Sequence, residues 1–415
     1  MQPLKPSWTG LFTSNLLGIF NDNLLKHCII FISIGWWMPS WLSQSQLIAA
    51  VSASLVLPYI FLSPLAGRLS VIYKKKSVFL FFKFIEFLIM LFATLAFYYQ
   101  ILWLAVFSVL LMGIASCLYS PSKYGLIRDI GGEAGVSYGS GIFEAMAFLG
   151  ILLGTVTASV LSDHYQFWIV GILFLGLAIL GYLATKLINA EEIPVETDEF
   201  SSINPLKFLI NSFRFASKHQ LVNSAVLGAS AFWLIGGLLQ MNLIIYCKQV
   251  YNTSNTNTGL IMICAAMGIA FGCWVAAKIS GNEVKKGLIL IGLAGMIVLL
   301  SALTFFTLPF WLFPFSIFGV AMMGGFFQVP CLSMIQQANL GRKLGDMIAY
   351  LNLVTFLFVL FGTMLFSVTT YYTAENSFAV FGLILIICVL VAIYFIMISP
   401  VFWKETMVMI FGEKK

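Results

Sequence analysis

The chain has 415 residues, of which 60% are hydrophobic and 9% charged, and carries a net charge of +6. Soluble domains hold roughly 25% charged and 45–50% apolar residues, so no soluble fold hides this much apolar surface and a polytopic membrane protein is expected. The seven Cys and three His show no CxxC or Cys/His metal spacing. No Walker loop or nucleophile elbow is present either, so no enzyme activity, cofactor or metal is expected. The basic residues are scattered along the chain rather than clustered, which argues against a nucleic-acid partner.

A bilayer-spanning helix needs about 20 mostly apolar residues, and lipid offers no partner to free backbone groups, so the spans must be helical. Twelve segments qualify: 11–37, 46–69, 77–98, 101–120, 138–161, 165–187, 221–247, 257–279, 287–307, 310–334, 345–370 and 376–400. The polar N-terminus is short and the first apolar stretch too long for a cleaved signal, so it reads as an uncleaved span. An even number of spans puts both termini on one side. With that side cytoplasmic, 19 of the 22 Lys and Arg residues fall inside, Lys26 and Lys83 lie in the membrane, and only Lys248 lies outside. The excess of basic residues in cytoplasmic loops fixes this orientation.

Span one contains Asn21-Asp22-Asn23-Leu24-Leu25-Lys26. An aspartate in hydrocarbon costs a few kcal/mol on insertion scales of about 2.5–3.5 kcal/mol, and such residues usually face a bundle interior or a watery path. Asp22 and Lys26 are spaced i, i+4 and share a helix face. They read either as a cavity pair for a zwitterionic or ionic ligand, with Asn23 beside them, or as a structural ion pair. Lys83 and Glu86 in span three stand at i, i+3. Lys83 lies about 10 Å below the loop at 1.5 Å per residue and has the stem length to snorkel; Glu86, one turn deeper, does not. Glu144 near the start of span five reads as a ligand for an amine, a gate, or an interhelical bond. Lys123, Tyr124 and Arg128 follow span four, as a basic rim or as gate and phosphate contacts, with Asp129 and Glu133 near enough to pair with them.

The longest polar gap, between spans six and seven, divides the chain into an N-terminal half (1–187), a central cytoplasmic loop (188–220) and a C-terminal half (221–415). The loop opens acidic. Its Asn204-Pro205 then predicts a helix N-cap and first turn, and the apolar and basic residues that follow suit a helix at the membrane surface. The halves echo each other at an offset near 208: Pro121 with Pro330, Leu153-Gly154-Thr155 with Phe361-Gly362-Thr363, Glu144 with Asn352, and Lys74–Lys76 with Lys285–Lys286.

Two six-helix repeats are the layout of the major facilitator superfamily, whose members carry a central cavity between the halves. Gly67-Arg68-Leu69-Ser70-Val71-Ile72-Tyr73-Lys74-Lys75-Lys76 resembles that superfamily's G-x-L-a-D-r-x-G-r-K. The Gly67, Leu69, Lys75 and Lys76 positions fit, whereas Val71 stands at the Asp position and Lys74 at the second Gly. Three further stretches carry a narrower likeness: Phe20-Asn21-Asp22-Asn23; Tyr119-Ser120-Pro121-Ser122-Lys123-Tyr124-Gly125-Leu126 leading into Gly141-Ile142-Phe143-Glu144-Ala145; and Met323-Gly324-Gly325-Phe326-Phe327-Gln328-Val329-Pro330. Together they resemble the bacterial lysophospholipid transporters of the superfamily.

The resemblance implies an all-α fold of twelve spans in a bacterial inner membrane. It implies inward movement of a lysophospholipid, chiefly lysophosphatidylethanolamine, by alternating access, with membrane lipids and a separate cytoplasmic acyltransferase as partners. The chain has no H-x4-D acyltransferase motif, since the fifth residues after His27, His164 and His219 are Ile32, Ile169 and Ser224. Relatives often place an Arg in span seven where this chain has Gln240, an amide that hydrogen-bonds a phosphate without supplying charge. An exporter of drugs or other amphiphiles shares the same fold. A membrane scaffold for an acyltransferase is a third reading, but it leaves the buried charges without a task.

Overall fold

Apolar runs of twenty or more residues leave the backbone only its own carbonyls as partners, and the chain answers with helices throughout. The structure is a computed structural model, and it describes residues 6–32, 36, 44–163, 165–190, 192, 202–253, 255–341, 343–374 and 376–412. Among these residues lie thirteen helices and no strand. They are α1 (Pro6–Ile32), α2 (Gln44–Ile72), α3 (Lys75–Tyr99), α4 (Leu102–Asp163), α5 (Phe167–Lys186), α6 (Pro205–Lys218) and α7 (Gln220–Tyr251). The rest are α8 (Asn255–Ser280), α9 (Gly287–Phe305), α10 (Phe313–Gln337), α11 (Lys343–Tyr372), α12 (Ser377–Ile398) and α13 (Pro400–Phe411). Several hydroxyls inside the helices bond their own preceding turn, as Thr94 does to Met90 O and Ser333 to Val329 O, so these cross lipid without an open donor.

Ten of the described helices are long and apolar enough to span a membrane. One of them, α4, has 62 residues and would reach about 93 Å if straight. It instead turns at Gly132, whose φ of 60° and ψ of −167° break the helix and suit a residue without a Cβ. Its limbs therefore hold spans four and five. With the charge-bearing α1 added, ten, one and one make twelve.

Sequence reading and structure differ at three places. Residues 121–131, expected outside span four, continue its helix, so Pro121 lies within α4. The first span begins at Pro6 and its helix ends at Ile32, while 33–35 and 37 fall outside the described residues. The short α13 was not anticipated. Its Thr406 hydroxyl donates to Gly287 O at 3.0 Å.

Contacts separate the chain into two compact units. The first comprises Met1–Gly132, Leu149–Ser212 and Asn339–Leu353; the second comprises Glu133–Phe148, Phe213–Ala338 and Val354–Lys415. Each contains one short segment from the other part of the sequence. Inside the first unit, α5 packs on α1 and α3; inside the second, α12 packs on α7 and α9. Glycines set the closest approaches. A methyl at Gly154 would lie 2.7 Å from Phe20 O and from Asn23 Cβ, and one at Gly362 would lie 3.3 Å from Leu234 Cγ. The 208-residue echo thus marks the same helix contact made twice. So does the exchange of segments: a Cβ on Gly67 would meet Ala349 Cβ at 3.0 Å in the first unit, and one on Gly141 would meet Cys273 O at 2.8 Å in the second.

Each unit also closes one helix start with a distant carboxylate. Glu192 accepts from the Lys75 and Lys76 amides at 2.5 and 2.9 Å, at the head of α3. Glu405 accepts from the Gly287 amide at 3.3 Å, at the head of α9. Helix N-termini carry free amides and partial positive charge, so both carboxylates sit where a helix favours an anion.

Candidate functional site

The polar residues of the first unit gather inside the membrane helices. Asp22 on α1 accepts a hydrogen bond from Ser116 Oγ on α4 at 3.1 Å. Lys83 on α3 reaches Glu86 Oε2 at 2.7 Å, and their side chains are 1% and 0% exposed. Lys83 has therefore turned inward rather than snorkelled. Its ammonium lies 5.8 Å from the ring centroid of Tyr119 on α4, and Lys123 Nζ lies 5.5 Å from the same ring. Asp22 senses the charges of Glu86, Lys83 and Lys123. Gly18 on α1 makes room for this packing, because a methyl there would run into the Lys83 ammonium. Two acids, two bases and a tyrosine thus share one locus on α1, α3 and α4, buried except for the half-buried Asp22. The acids keep spare capacity: Asp22 Oδ1 and Glu86 Oε1 are buried and accept no hydrogen bond.

Of the expected pathway residues, Asp22, Lys83 and Glu86 come together, and Lys123 joins them from the group expected at the rim. Asn23 and Lys26 do not. Asn23 donates to Ile19 O of its own helix, and among the described residues no ion pair joins Asp22 to Lys26, which is half-buried. The shared face of the i, i+4 spacing is real, but the Asp22 carboxylate takes its hydrogen bond from α4 instead.

The expected rim is assembled in part. Lys75 grips Asp129 through both carboxylate oxygens at 2.6 and 2.9 Å, so Asp129 serves α3. Gly125 lets the lysine lie flat, since a Cβ there would come 2.8 Å from Lys75 Cδ. Lys123 also lies 5.6 Å from the Tyr124 ring. Lys76 and Arg128 are half-buried, and Gly67 and Pro121 are buried. In the loop between α8 and α9, Lys285 donates to Glu283 at 2.9 Å and holds that exposed carboxyl below its usual range.

In the second unit, Glu144 is buried near Cys273. One turn along, Phe148 stacks on Trp233 of α7 with centroids 5.7 Å apart. Beyond Trp233, Gly236 and Gly237 face open space and Gln240 is exposed. These positions, i, i+3, i+4 and i+7, form one open stripe of α7. On α10, Gln328 is buried with its Oε1 accepting nothing.

Sequence reasoning missed Ser116, Tyr119 and Gln328 as candidates. Tyr119 and Gln328 stood inside the quoted motifs; Ser116, 94 residues from Asp22, carried no local signal.

A fold of paired six-helix repeats, with charged groups buried in its spans, matches one family description. The model of the Major Facilitator Superfamily matches residues 11–363. The chain belongs to the major facilitator superfamily. Within it, the chain is 25% identical over 349 residues to the lysophospholipid transporter LplT of Shigella flexneri, covering 83% of this chain and 84% of that one. It is 24% identical over 350 residues to LplT of Escherichia coli, with the same coverage. Solved superfamily structures share the fold. The human organic anion transporter TETRAN aligns with a TM-score of 0.78 at 14% identity, over 95% of this chain and 99% of that one. The transporter FucP in its outward conformation aligns at 0.73 and 11% identity, over 94% and 98%. As a superfamily member, the chain is a multi-pass membrane transporter.

Proposed function

We propose that this transporter moves lysophospholipids, chiefly lysophosphatidylethanolamine, to the cytoplasmic leaflet by alternating access, where a separate acyltransferase restores the second chain. The observation that carries the reading is the buried locus of Asp22, Glu86, Lys83 and Lys123. A zwitterionic head group has an ammonium for the spare carboxylate oxygens and a phosphate for the lysines. The kinship with LplT supports the lipid, and the charge distribution supports a bacterial inner membrane with both termini cytoplasmic. The reading keeps residues 1–187 and 221–415 as repeats joined by 188–220. Glu144 and Gln240 belong to the same pathway in it. Lys26 and Asn23 stay in the reading as pathway residues of the same helix, with no ion pair or hydrogen bond to Asp22 among the described residues, and the basic residues after spans two and four act at the cytoplasmic gate.

The test is uptake of labelled lysophosphatidylethanolamine by spheroplasts expressing the chain, beside Asp22→Asn at equal abundance. Uptake by the parent and loss in the variant are expected. Uptake by both demotes Asp22 to structure. Uptake by neither rejects the substrate and favours export of other amphiphiles.

A further inference from the structure

An apolar groove runs between α3 and α4 on the surface of the first unit. It is about 250 Å³ and is lined by Phe82, Ile85, Ile89 and Phe92 of α3 and by Leu111 and Ile114 of α4, among others, with almost no polar surface. Phe92, at one end, is half exposed. The other end adjoins the charged locus. Glu86 follows Ile85 directly and flanks the lining face of α3, and Ala115, in the groove wall, precedes Ser116, the donor to Asp22. Phe82 lies 6.4 Å from the Tyr119 ring, centroid to centroid. The same two helices therefore present an apolar trough and, next to it, two buried carboxylate oxygens that accept nothing.

One chemistry satisfies both features at once: a single hydrocarbon chain ending in a head group with hydrogen-bond donors. A two-chain lipid leaves its second chain unplaced, and a compact polar solute leaves the trough empty. We propose that the α3–α4 groove holds the acyl chain of the transported amphiphile while its ammonium group reaches Asp22 and Glu86. The inference rests on the lysolipid reading of that locus. It places the chain within the first unit.

Chain-length selectivity tests it. Palmitoyl and hexanoyl lysophosphatidylethanolamine would be compared in the parent, in Ile114→Trp, which fills the groove, and in Ile172→Trp, a control on the exposed face of α5. Ile114→Trp is expected to cut palmitoyl uptake at least about tenfold relative to hexanoyl uptake, the equivalent of about two methylenes lost from apolar surroundings. The control should change neither. Equal loss of both chain lengths would overturn the groove.

A second readout does not need flux. Purified protein in lipid nanodiscs would be photolabelled with lysophosphatidylethanolamine carrying a diazirine at the chain end, and the adducts mapped by mass spectrometry. Label on residues 82–92 or 111–115, competed by unlabelled lysolipid, supports the groove. Label elsewhere, or label that excess lysolipid does not displace, refutes it. Competed label without uptake by the parent would refute lysolipid transport and keep the groove; uptake with label elsewhere would do the reverse.

Discussion

Removing Lys83 should destabilise the protein more than removing Lys83 and Glu86 together. At 2.7 Å the pair attracts with about 6 kcal/mol at an effective dielectric near 20. Taking two charges out of water costs several kcal/mol per ion, so the net contribution of a buried pair is small. Lys83→Met removes the attraction and leaves the Glu86 penalty standing, and Glu86 already has one oxygen without a donor. The expected loss is about 3–5 kcal/mol. In Lys83→Met/Glu86→Leu both charges go and the volume stays similar, so stability should return to within about 1–2 kcal/mol of the parent. The assay is thermal and denaturant unfolding of purified protein in one detergent, beside lysolipid uptake. Stability should recover in the double variant, while uptake should not. The reasoning fails if Lys83→Met is as stable as the parent, or if the double variant is as unstable as the single. A double variant that still transports would remove the pair from the pathway and leave it structural.

Four further outcomes follow from the same geometry. Gly18→Leu should displace the Lys83 ammonium and abolish uptake, whereas Gly176→Leu, where a Cβ meets nothing within 4 Å, should not; equal effects would deny the close approach its role. Glu192→Gln and Glu405→Gln each weaken a helix start and should cost about 0.5–2 kcal/mol, read as lower unfolding temperatures of similar size. Asn204→Ala removes the acceptor for the Leu206 and Lys207 amides and should raise hydrogen exchange across α6, with a cost near 1 kcal/mol. Gln240→Arg should favour lysolipids with more anionic head groups over lysophosphatidylethanolamine in direct competition; an unchanged ratio would separate Gln240 from head-group contact.

The spans were legible because lipid permits one solution to a long apolar run, and the helix ends agree with the sequence to a few residues at most boundaries. Asn204 was legible as a cap, and the structure shows its side chain taking two amides. The nearness of Lys83 to Glu86 was legible because i, i+3 spacing on a helix is local information, but the inward turn of Lys83 was not, since its stem is long enough to snorkel. Asp22 was legible as a cost, but its partner was not: Ser116 is 94 residues away, and nothing in a lone serine marks which span it will meet. The same limit hid the exchange of segments between units. Residues 133–148 and 339–353 are apolar enough for either unit, and contacts distant in sequence, such as those at Gly67 and Gly141, the Phe148–Trp233 stack and the Asn352–Ser120 hydrogen bond, go with where they pack. The helical run through 121–131 was hidden because its charges resemble those of a loop; Lys75 and Glu192, both distant in sequence, accompany it at the head of α3.

The exchanged segments bear on how such a chain arose and how it must be made. If the two repeats descend from one ancestral six-helix gene, that ancestor needed a second copy to complete itself, since each present unit borrows the opening turns of a span encoded elsewhere. On that descent, duplication would convert a dimer's mutual loan into a permanent bond within one polypeptide. A ribosome releasing the first six spans delivers an unfinished body, with residues 133–148 still lacking α8. Final maturation has to wait until span eleven has been synthesised.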